Sequence, residues 1–304
     1  MEVRQFELVR ALAEHGSLSA VARVLGYSQP AISQQVKLLE AQLGTPLVIR
    51  GQRGVELSAA GKVLLRHSTN VLDTVSLAKA EVAAVAGLRT GRVRIAAFPS
   101  STPIVANAMA EMTKRYPGVT FTLSEAEPPK ALALLESGQC DIAVAFRYSA
   151  EEPIDLEGLS IFPLLRSEVR VALPRDHPHA KDETVRLSEL WDSRWIAGCP
   201  DCRVHLVNAC KAVGFSPDIA FETDDYVALQ SLAALDLGVA LLSDLALSVV
   251  HVKDLQIKSL TEPSYQYVSA VSTPGLARVP GVSQTLEALQ RAATQLPIPT
   301  PRLN

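Results

Sequence analysis

The sequence of 304 residues predicts an α/β protein with a small helical head, one long helix and a larger body. Three observations lead to this prediction. Short helical patterns separated by turns fill residues 1–58, and a continuous apolar stripe at helical spacing follows them. From Arg92 onward, segments typical of strands and helices alternate to the end of the chain.

The composition supports buried cores and argues against a membrane segment. Hydrophobic residues make up 48% of the chain and charged residues 20%, so global disorder is not expected. The N-terminus has an early glutamate and no apolar core segment, so a secretory signal is not expected. The most apolar stretch, residues 227–250, is interrupted by Gln230, Asp236 and Asp244, which is too polar for a membrane helix. We therefore expect a cytoplasmic protein with no membrane partner.

Charge is divided unevenly between the head and the rest of the chain. Residues 1–66 hold eight basic and five acidic side chains, a net charge of +3, whereas the whole chain carries −3. A basic head on an acidic body favours nucleic acid as the partner of the head, although an excess of three charges does not decide the matter alone.

The head contains the spacing of a helix-turn-helix. Ser28 caps a helix that has Pro30 in its first turn, where a missing N–H costs nothing. The preceding helix places the small residue Ala22 four positions before Gly26, and Ile32 follows six positions later. In this motif the second helix lies in the major groove of DNA.

The outward face of that second helix carries amides and hydroxyls where a surface helix normally carries charges. Glutamine bonds bidentately to adenine, hydroxyls serve bases or phosphates, and lysine serves phosphates or guanine. The following segment, "PLVIRGQRGVELS", predicts a hairpin that would act as a wing and reach phosphates or the minor groove. A three-helix packing domain with a solvated polar face is the competing interpretation. The predicted DNA-binding residues are Ser28, Gln29, Pro30, Ser33, Gln34, Lys37, Arg50 and Arg53.

The stretch "SLSAVARVLGYSQPAISQQVKLLEAQLGTPLVIRGQRGVELSAAG" closely resembles the N-terminal winged helix-turn-helix of LysR-type transcriptional regulators. The resemblance runs over residues 3–61 without gaps, and "SQPAISQQVKLLEAQLG" is its most specific part. The rest of the chain resembles a more diverged effector-binding part of the same family. The resemblance implies a homo-oligomer, dimer or tetramer, that binds double-stranded promoter DNA and responds to a small-molecule effector.

A long helix is predicted from Ser58, its cap, to about Leu88, followed by a hinge, "GLRTG". About thirty residues of helix span roughly 45 Å. No neighbouring segment obviously covers its apolar stripe, so pairing with a second copy of the chain is expected, and packing against its own domain is the alternative. The resemblance favours a dimer-forming linker helix. The stripe consists of Leu64, Leu65, Val71, Leu72, Val75, Ala78, Val82 and Val85.

The alternating body is typical of α/β units around a parallel sheet. Strands are predicted at "RVRIAAF", "VTFTLSE", "CDIAVAF", "EVRVALP", "RWIAG", "IAFET", "VALLS" and "YQYVSAVS". The resemblance implies a two-lobed, periplasmic-binding-protein-like effector domain, in which the end of the chain returns to the first lobe. The predicted domains are a winged helix-turn-helix at 1–58, a linker helix at 59–88 and an effector domain at 89–304, with lobe I at about 92–160 and 268–297 and lobe II at about 163–265.

Ligands of such sheets bind beyond the carboxyl ends of the strands. "FPSSTP" follows the first strand of the body, and its hydroxyls with free N–H groups at a helix start would attract an anion, although such residues are more often plain helix caps. The resemblance brings further residues to the same cleft, and together they predict an effector with an anionic group. The predicted effector-binding residues are Ser100, Ser101, Thr102, Glu127, Phe146, Arg147, Pro200, Cys202 and Thr223.

The four cysteines do not indicate a disulfide framework in a cytosolic chain. Cys199 and Cys202 lie where a strand meets a helix, and a thiol at a helix start has a lowered pKa and can be redox-active. Metal binding with His205 and Cys210 is a further alternative, but Cys210 lies on a different helix face from Cys202. The preferred interpretation is a pair of small, half-buried residues at the rim of the cleft. Thiol-redox sensing through Cys199 and Cys202 is the alternative function.

Other functional classes fit the sequence less well. It contains no G-x-S-x-G, G-x-x-x-x-G-K-[ST] or H-E-x-x-H motif, so neither an enzyme nor a cofactor is expected. A purely architectural DNA-binding protein would not need a large acidic domain with two lobes. The preferred function is therefore that of a LysR-type regulator with an effector in the interlobe cleft.

Overall fold

The computed structural model describes residues 1–51, 54–85, 91–149 and 158–296. The helices are α1 (Val3–His15), α2 (Leu18–Leu25), α3 (Gln29–Leu43), α4 (Ala59–Val85), α5 (Thr102–Arg115), α6 (Pro128–Glu136), α7 (Pro200–Ala212), α8 (Tyr226–Ala234), α9 (Asp244–Val249) and α10 (Pro280–Gln295). The strands are β1 (Val48–Gly51), β2 (Gly54–Leu57), β3 (Gly91–Ala97), β4 (Val119–Glu125), β5 (Ile142–Arg147), β6 (Ser160–Pro174), β7 (Thr184–Val185), β8 (Arg194–Ala197), β9 (Asp218–Glu222), β10 (Ala240–Ser243) and β11 (Leu255–Ser272).

The head is the predicted helix-turn-helix. The hydroxyl of Ser28 accepts a hydrogen bond from the backbone N–H of Ala31, which confirms the predicted cap of α3. Gly26 joins α2 to α3 with a φ of 73°, a left-handed conformation that glycine adopts without strain. Ile32 and Val36 of α3 are buried in the core that α1, α2 and α3 share.

The wing is an antiparallel hairpin of β1 and β2, as predicted. It is fixed to the head at two points. The backbone N–H of Val55 donates to the carbonyl of Gly16 at 2.8 Å, and a Cβ at Gly54 would collide with that carbonyl. At the start of β1, the Oε1 atom of Glu40 in α3 accepts hydrogen bonds from the N–H groups of Leu47 and Val48. The wing and the recognition helix are therefore held in one unit.

Helix α4 packs against its own chain over its first half, contrary to the expectation of an uncovered stripe. Leu64 and Leu65 pack beside the head core. Leu72 is buried, and its neighbour Asp73 accepts a 2.5 Å hydrogen bond from the hydroxyl of Thr273 in the body. The head packs against the first turns of this helix and the body against the turns that follow, and together they cover apolar positions that no local segment could reach. The predicted helix end at Leu88 and the hinge lie outside the described residues.

The body sheet is mixed, which corrects the expectation of a parallel sheet. Its strand order is β10-β6-β11-β5-β3-β4, with β7 beside β11. β3 pairs in parallel with β4 and with β5, whereas β11 is antiparallel to β5 and to β6, and β6 is antiparallel to β10. The reason is that β6 and β11 are long strands that connect the two halves of the body and run in opposite directions.

Two groups of elements form separate cores on either side of these connecting strands. Lobe I comprises β3, β4, β5, α5, α6 and α10, and its core contains Ile95, Ala143 and Leu289. Lobe II comprises β8, β9, β10, α7, α8 and α9, with a core around Trp195 and a second cluster around Leu229. β8 and β9 form their own parallel pair. Across the described ranges, no helix is long and apolar enough to cross a membrane.

Candidate functional site

The recognition helix α3 presents the predicted polar face to solvent. Gln29, Gln34 and Lys37 are exposed and Ser33 is half-buried, while Ile32 is fully buried on the opposite side. Ser28 is exposed at the cap, and Pro30 is exposed in the first turn. The amino-terminal half of α3 thus presents neutral hydrogen-bond donors and acceptors to solvent, while the apolar face of the helix packs in the core of the head. Two predicted contacts, Arg53 and the side chain of Arg50, lie outside the described residues.

A cavity of about 610 Å³ opens between the lobes. It lies beyond the carboxyl ends of β3 and β4, where the start of α8 faces lobe I, as the rule for open α/β sheets predicts. Its apolar lining includes Pro99, Val227 and Val249. The charged side chains that line it are Glu125, Glu127, Lys130, Asp224 and Asp225.

The hydroxyls after β3 do not form the open anion site expected from the sequence. Ser100 and Ser101 lie in a short 3-10 turn, Pro99–Ser101, and both are fully buried. The hydroxyl of Ser101 donates to the carbonyl of Phe98 at 2.7 Å and does not cap α5. Ser100 accepts a hydrogen bond from the phenol of Tyr226 at 3.3 Å. The turn points both hydroxyls inward, so only the exposed Thr102 remains at the surface.

Phe146 belongs to the core of lobe I and does not line the cleft. Its ring packs edge-on against Phe98 at 4.8 Å and Tyr148 at 5.5 Å. Tyr148 in turn stacks on His205 of α7 with ring centroids 3.8 Å apart, so an aromatic contact closes one side of the cleft. Burial lowers the pKa of His205 to about 4, which keeps the ring neutral at pH 7. Arg147 is half-buried at the end of β5.

Glu127, just before α6, is the predicted effector residue with the most unusual surroundings. Its Oε2 atom is shielded from solvent and has no hydrogen-bond partner in the described structure. Burial, and then the charges of Asp224, Asp201 and Glu125, raise the pKa of this carboxyl to about 7. A carboxylate in this position favours a proton or another positive group close by.

The cysteine pair lies at the start of α7 and is joined by a disulfide, with the two Cα atoms 5.0 Å apart. Cys199 is buried against the core of lobe I and accepts a hydrogen bond through its sulfur from the N–H of Cys202. Pro200 and Thr223 line a shallow pocket of about 440 Å³ next to the pair. Cys210 is buried in the core of lobe II, away from the pair.

Comparison with known proteins decides the family. Residues 3–62 match the model of the bacterial regulatory helix-turn-helix protein of the lysR family, and residues 86–294 match that of the LysR substrate binding domain. The chain belongs to the LysR family. A similar regulator is AlsR of Bacillus subtilis strain 168, which is 30% identical over 247 residues, covering 78% of this chain and 79% of AlsR.

Other LysR-family proteins match over most of the chain. The hydrogen peroxide-inducible genes activator of Dickeya chrysanthemi is 28% identical over 260 residues, covering 84% of this chain and 83% of that protein. Among solved structures, a full-length OxyR variant from Pseudomonas aeruginosa superposes with a TM-score of 0.74 at 18% identity, covering 100% of this chain and 99% of OxyR. CbnR, a LysR family transcriptional regulator, has a TM-score of 0.52 at 23% identity, covering 95% of this chain and 100% of CbnR. At these identities the structures show the fold.

In this LysR-family chain, the structure brings together only part of the predicted effector set. Glu127 lines the interlobe cavity, Pro200 and Thr223 line the adjoining pocket, and Cys202 lies in the disulfide beside it. The sequence did not identify four residues of lobe II and the connecting strands as part of the cleft around Glu127. These are Asp224, Tyr226, His205 and Gln266, which share no motif and become neighbours only when the lobes pack.

Proposed function

We propose that this regulator binds promoter DNA through the exposed face of α3 and through the wing, and that a small molecule in the interlobe cavity controls this binding. The observation that supports the effector part is the cavity itself, about 610 Å³ beyond the carboxyl ends of β3 and β4. It lies within residues that match the LysR substrate binding domain. We also propose that the domains are the winged helix-turn-helix at 1–58, the linker helix at 59–88 and the effector domain at 89–304. The protein has no catalytic role and acts in the cytoplasm.

The DNA part is tested by changing one glutamine on the exposed face of α3. Gln29→Ala should weaken binding to the preferred site by ~1–3 kcal/mol and relax the base preference, because a bidentate contact to a base edge is lost. Gln42→Ala is the matched control, since Gln42 is exposed near the other end of the same helix. Binding-site selection from a random DNA pool measures both. If Gln29→Ala leaves the base preference unchanged, another surface of the protein contacts the bases.

The effector part is tested by filling the cavity. Val227 lines it and is exposed, so Val227→Trp should occupy the space and abolish the regulatory response of a promoter reporter while DNA binding persists. Val204→Trp is the control, because Val204 is equally exposed on α7 and lies outside the cavity. A full response in Val227→Trp would remove the cavity from the proposal.

The disulfide supports a second candidate function, thiol-redox sensing. Oxidation of the Cys199 and Cys202 thiols by one peroxide would form the disulfide and two waters, at the start of the helix that carries His205. A relative is described as a hydrogen peroxide-inducible genes activator. A Cys199→Ser, Cys202→Ser double variant that retains the response while Val227→Trp loses it favours the effector. The reverse pattern, with peroxide-dependent DNA binding in the wild type only, favours the redox function.

A further inference from the structure

The charges around the interlobe cavity are predominantly negative. Of the described residues that line it, Lys130 is the only cation, against four carboxylates. One of these, Asp225, is already engaged, because it caps α8 by accepting from the N–H groups of Val227 and Ala228 at 2.7 and 3.2 Å. Glu125, Glu127 and Asp224, together with Lys130, are therefore the charged groups that a ligand can contact.

The surroundings of Glu127 provide evidence that does not depend on the number of charges around the cavity. Its Oε2 atom is covered by protein and receives no hydrogen bond from the described structure, although a buried carboxylate oxygen without a donor is costly. The nearby phenol of Tyr226 donates to Ser100, which leaves it unavailable to Glu127. A positive group on a ligand beside this carboxyl would stabilise its ionised form and offset that cost.

The arrangement favours an organic cation over a metal ion. Within the described ranges, no group of three or more His, Cys, Asp or Glu side chains could hold a metal ion. The rest of the cavity wall includes Pro99, Val227 and Val249, which suit hydrocarbon and offer no metal ligands. A ligand with one polar cationic end and an apolar body matches both halves of the lining.

We propose that the effector is an organic amine whose ammonium group donates to Glu127 and whose hydrocarbon part lies against Val227 and Val249. This inference rests on the proposed function, since it assigns a ligand class to the same cavity. It replaces the anionic group expected from the sequence. That expectation rested on the hydroxyls after β3 and on Arg147. Ser100 and Ser101 are buried, Arg147 is not among the residues that line the cavity, and the acidic side chains of the lining repel an anion.

The test compares ligands that differ mainly in charge. Pentylamine, pentane-1,5-diamine and lysine are titrated calorimetrically into the full-length protein, beside the neutral pentanol and the anion pentanoate. The amines should bind, and the alcohol and the carboxylate should bind at least about tenfold more weakly, because a charge-assisted hydrogen bond is lost or reversed. The same amines should change the affinity of the protein for its promoter DNA in a gel-shift titration.

A pair of variants assigns the effect to Glu127. Glu127→Gln should weaken amine binding by about tenfold or more, whereas Glu262→Gln, an exposed position on β11 outside the cavity, should leave it unchanged. Amine binding that ignores Glu127→Gln would overturn the role of Glu127. Preferential binding of pentanoate, or no binding by any amine, would overturn the amine class. Each of these results leaves the cavity as the effector site. A reporter response that survives Val227→Trp would instead remove the effector function of the cavity.

Discussion

The ionisation of Glu127 changes both the charge of the cavity and the free energy of unfolding. Its pKa is raised to about 7, first by burial and then by neighbouring carboxylates. Because this value lies above that of the unfolded chain, the folded state holds an extra proton at mildly acidic pH. The stabilisation is present below the unfolded value and is lost as the pH rises towards 7. The groups that face Glu127 from the surrounding elements are Glu125, Lys130, Asp201, Asp224 and Tyr226.

Replacing this carboxyl should remove that dependence. Glu127→Gln cannot ionise, so its melting temperature relative to wild type should rise between pH 5 and pH 7.5 and then level off. Thermal unfolding of both proteins across this range measures the difference. Glu262→Gln serves as the exposed control, and its difference from wild type should stay constant with pH. A constant difference for Glu127→Gln as well would mean that the buried carboxyl does not titrate in this window.

The predictability of individual side chains differs between the two sites. On α3 the apolar positions Ile32 and Val36 identify the buried face, so Gln34 had to point outward, and it does. Gln29 is exposed for another reason, because it is the first residue of the helix. On β5 both faces are buried, and the alternation that would have placed Phe146 is absent. The inward turn of the hydroxyls before α5 likewise depends on the packing of the lobes, which the local sequence does not encode.

Helix α6 lies between the cavity and the linker helix. Its first turn follows Glu127 and carries Lys130 into the cavity lining, while the carbonyl of Glu136 at its other end accepts a 2.7 Å hydrogen bond from the hydroxyl of Thr69 in α4. If α6 moves as one unit, a displacement at its Glu127 end reaches α4, which leads to the DNA-binding head.

The contact at the far end of α6 can be removed with a nearly isosteric change. Thr69→Val deletes the donor to Glu136 and should lower the free energy of unfolding by about 0.5–1.5 kcal/mol, because the hydrogen bond from the buried Thr69 hydroxyl is lost. It should also reduce the promoter response. Thr74→Val is the control, since the exposed hydroxyl of Thr74 donates only within α4, to Asn70. Urea unfolding and the reporter assay compare the two, and equal effects would exclude a special role for the contact.

The connecting strands show why some element boundaries could not be predicted. β11 begins at Leu255, although the sequence suggested only "YQYVSAVS", and its register with β6 is interrupted between Ser259 and Ser264. Pro263 falls in this interval, where local propensity argues against a strand. The strand is maintained by its long partner β6, a pairing between residues far apart in sequence. Shorter strands that pair within one lobe, such as β3 and β4, were predicted correctly.

The assembly of the whole molecule depends on which part of α4 its own subunit leaves exposed. Leu72 is buried and Leu64 and Leu65 are half-buried against the head, so these side chains leave little apolar surface for a second copy. Val82, near the end of the helix, is 70% exposed, which is unusual for a large apolar side chain. We therefore assign subunit pairing to the last turns of α4 and predict a dimer or tetramer in solution.

A charge at Val82 distinguishes pairing between subunits from packing within one. Val82→Glu should dissociate the oligomer at micromolar concentration without lowering the melting temperature of the subunit, since only a desolvated interface penalises the new charge. Asn70→Glu adds the same charge at an exposed position of α4 and should leave the assembly intact. Leu72→Glu, in contrast, should destabilise each subunit, because Leu72 is buried within it. Sedimentation velocity and thermal unfolding of the three variants separate these outcomes, and a monomeric wild type would contradict the assignment of this end of α4 to subunit pairing.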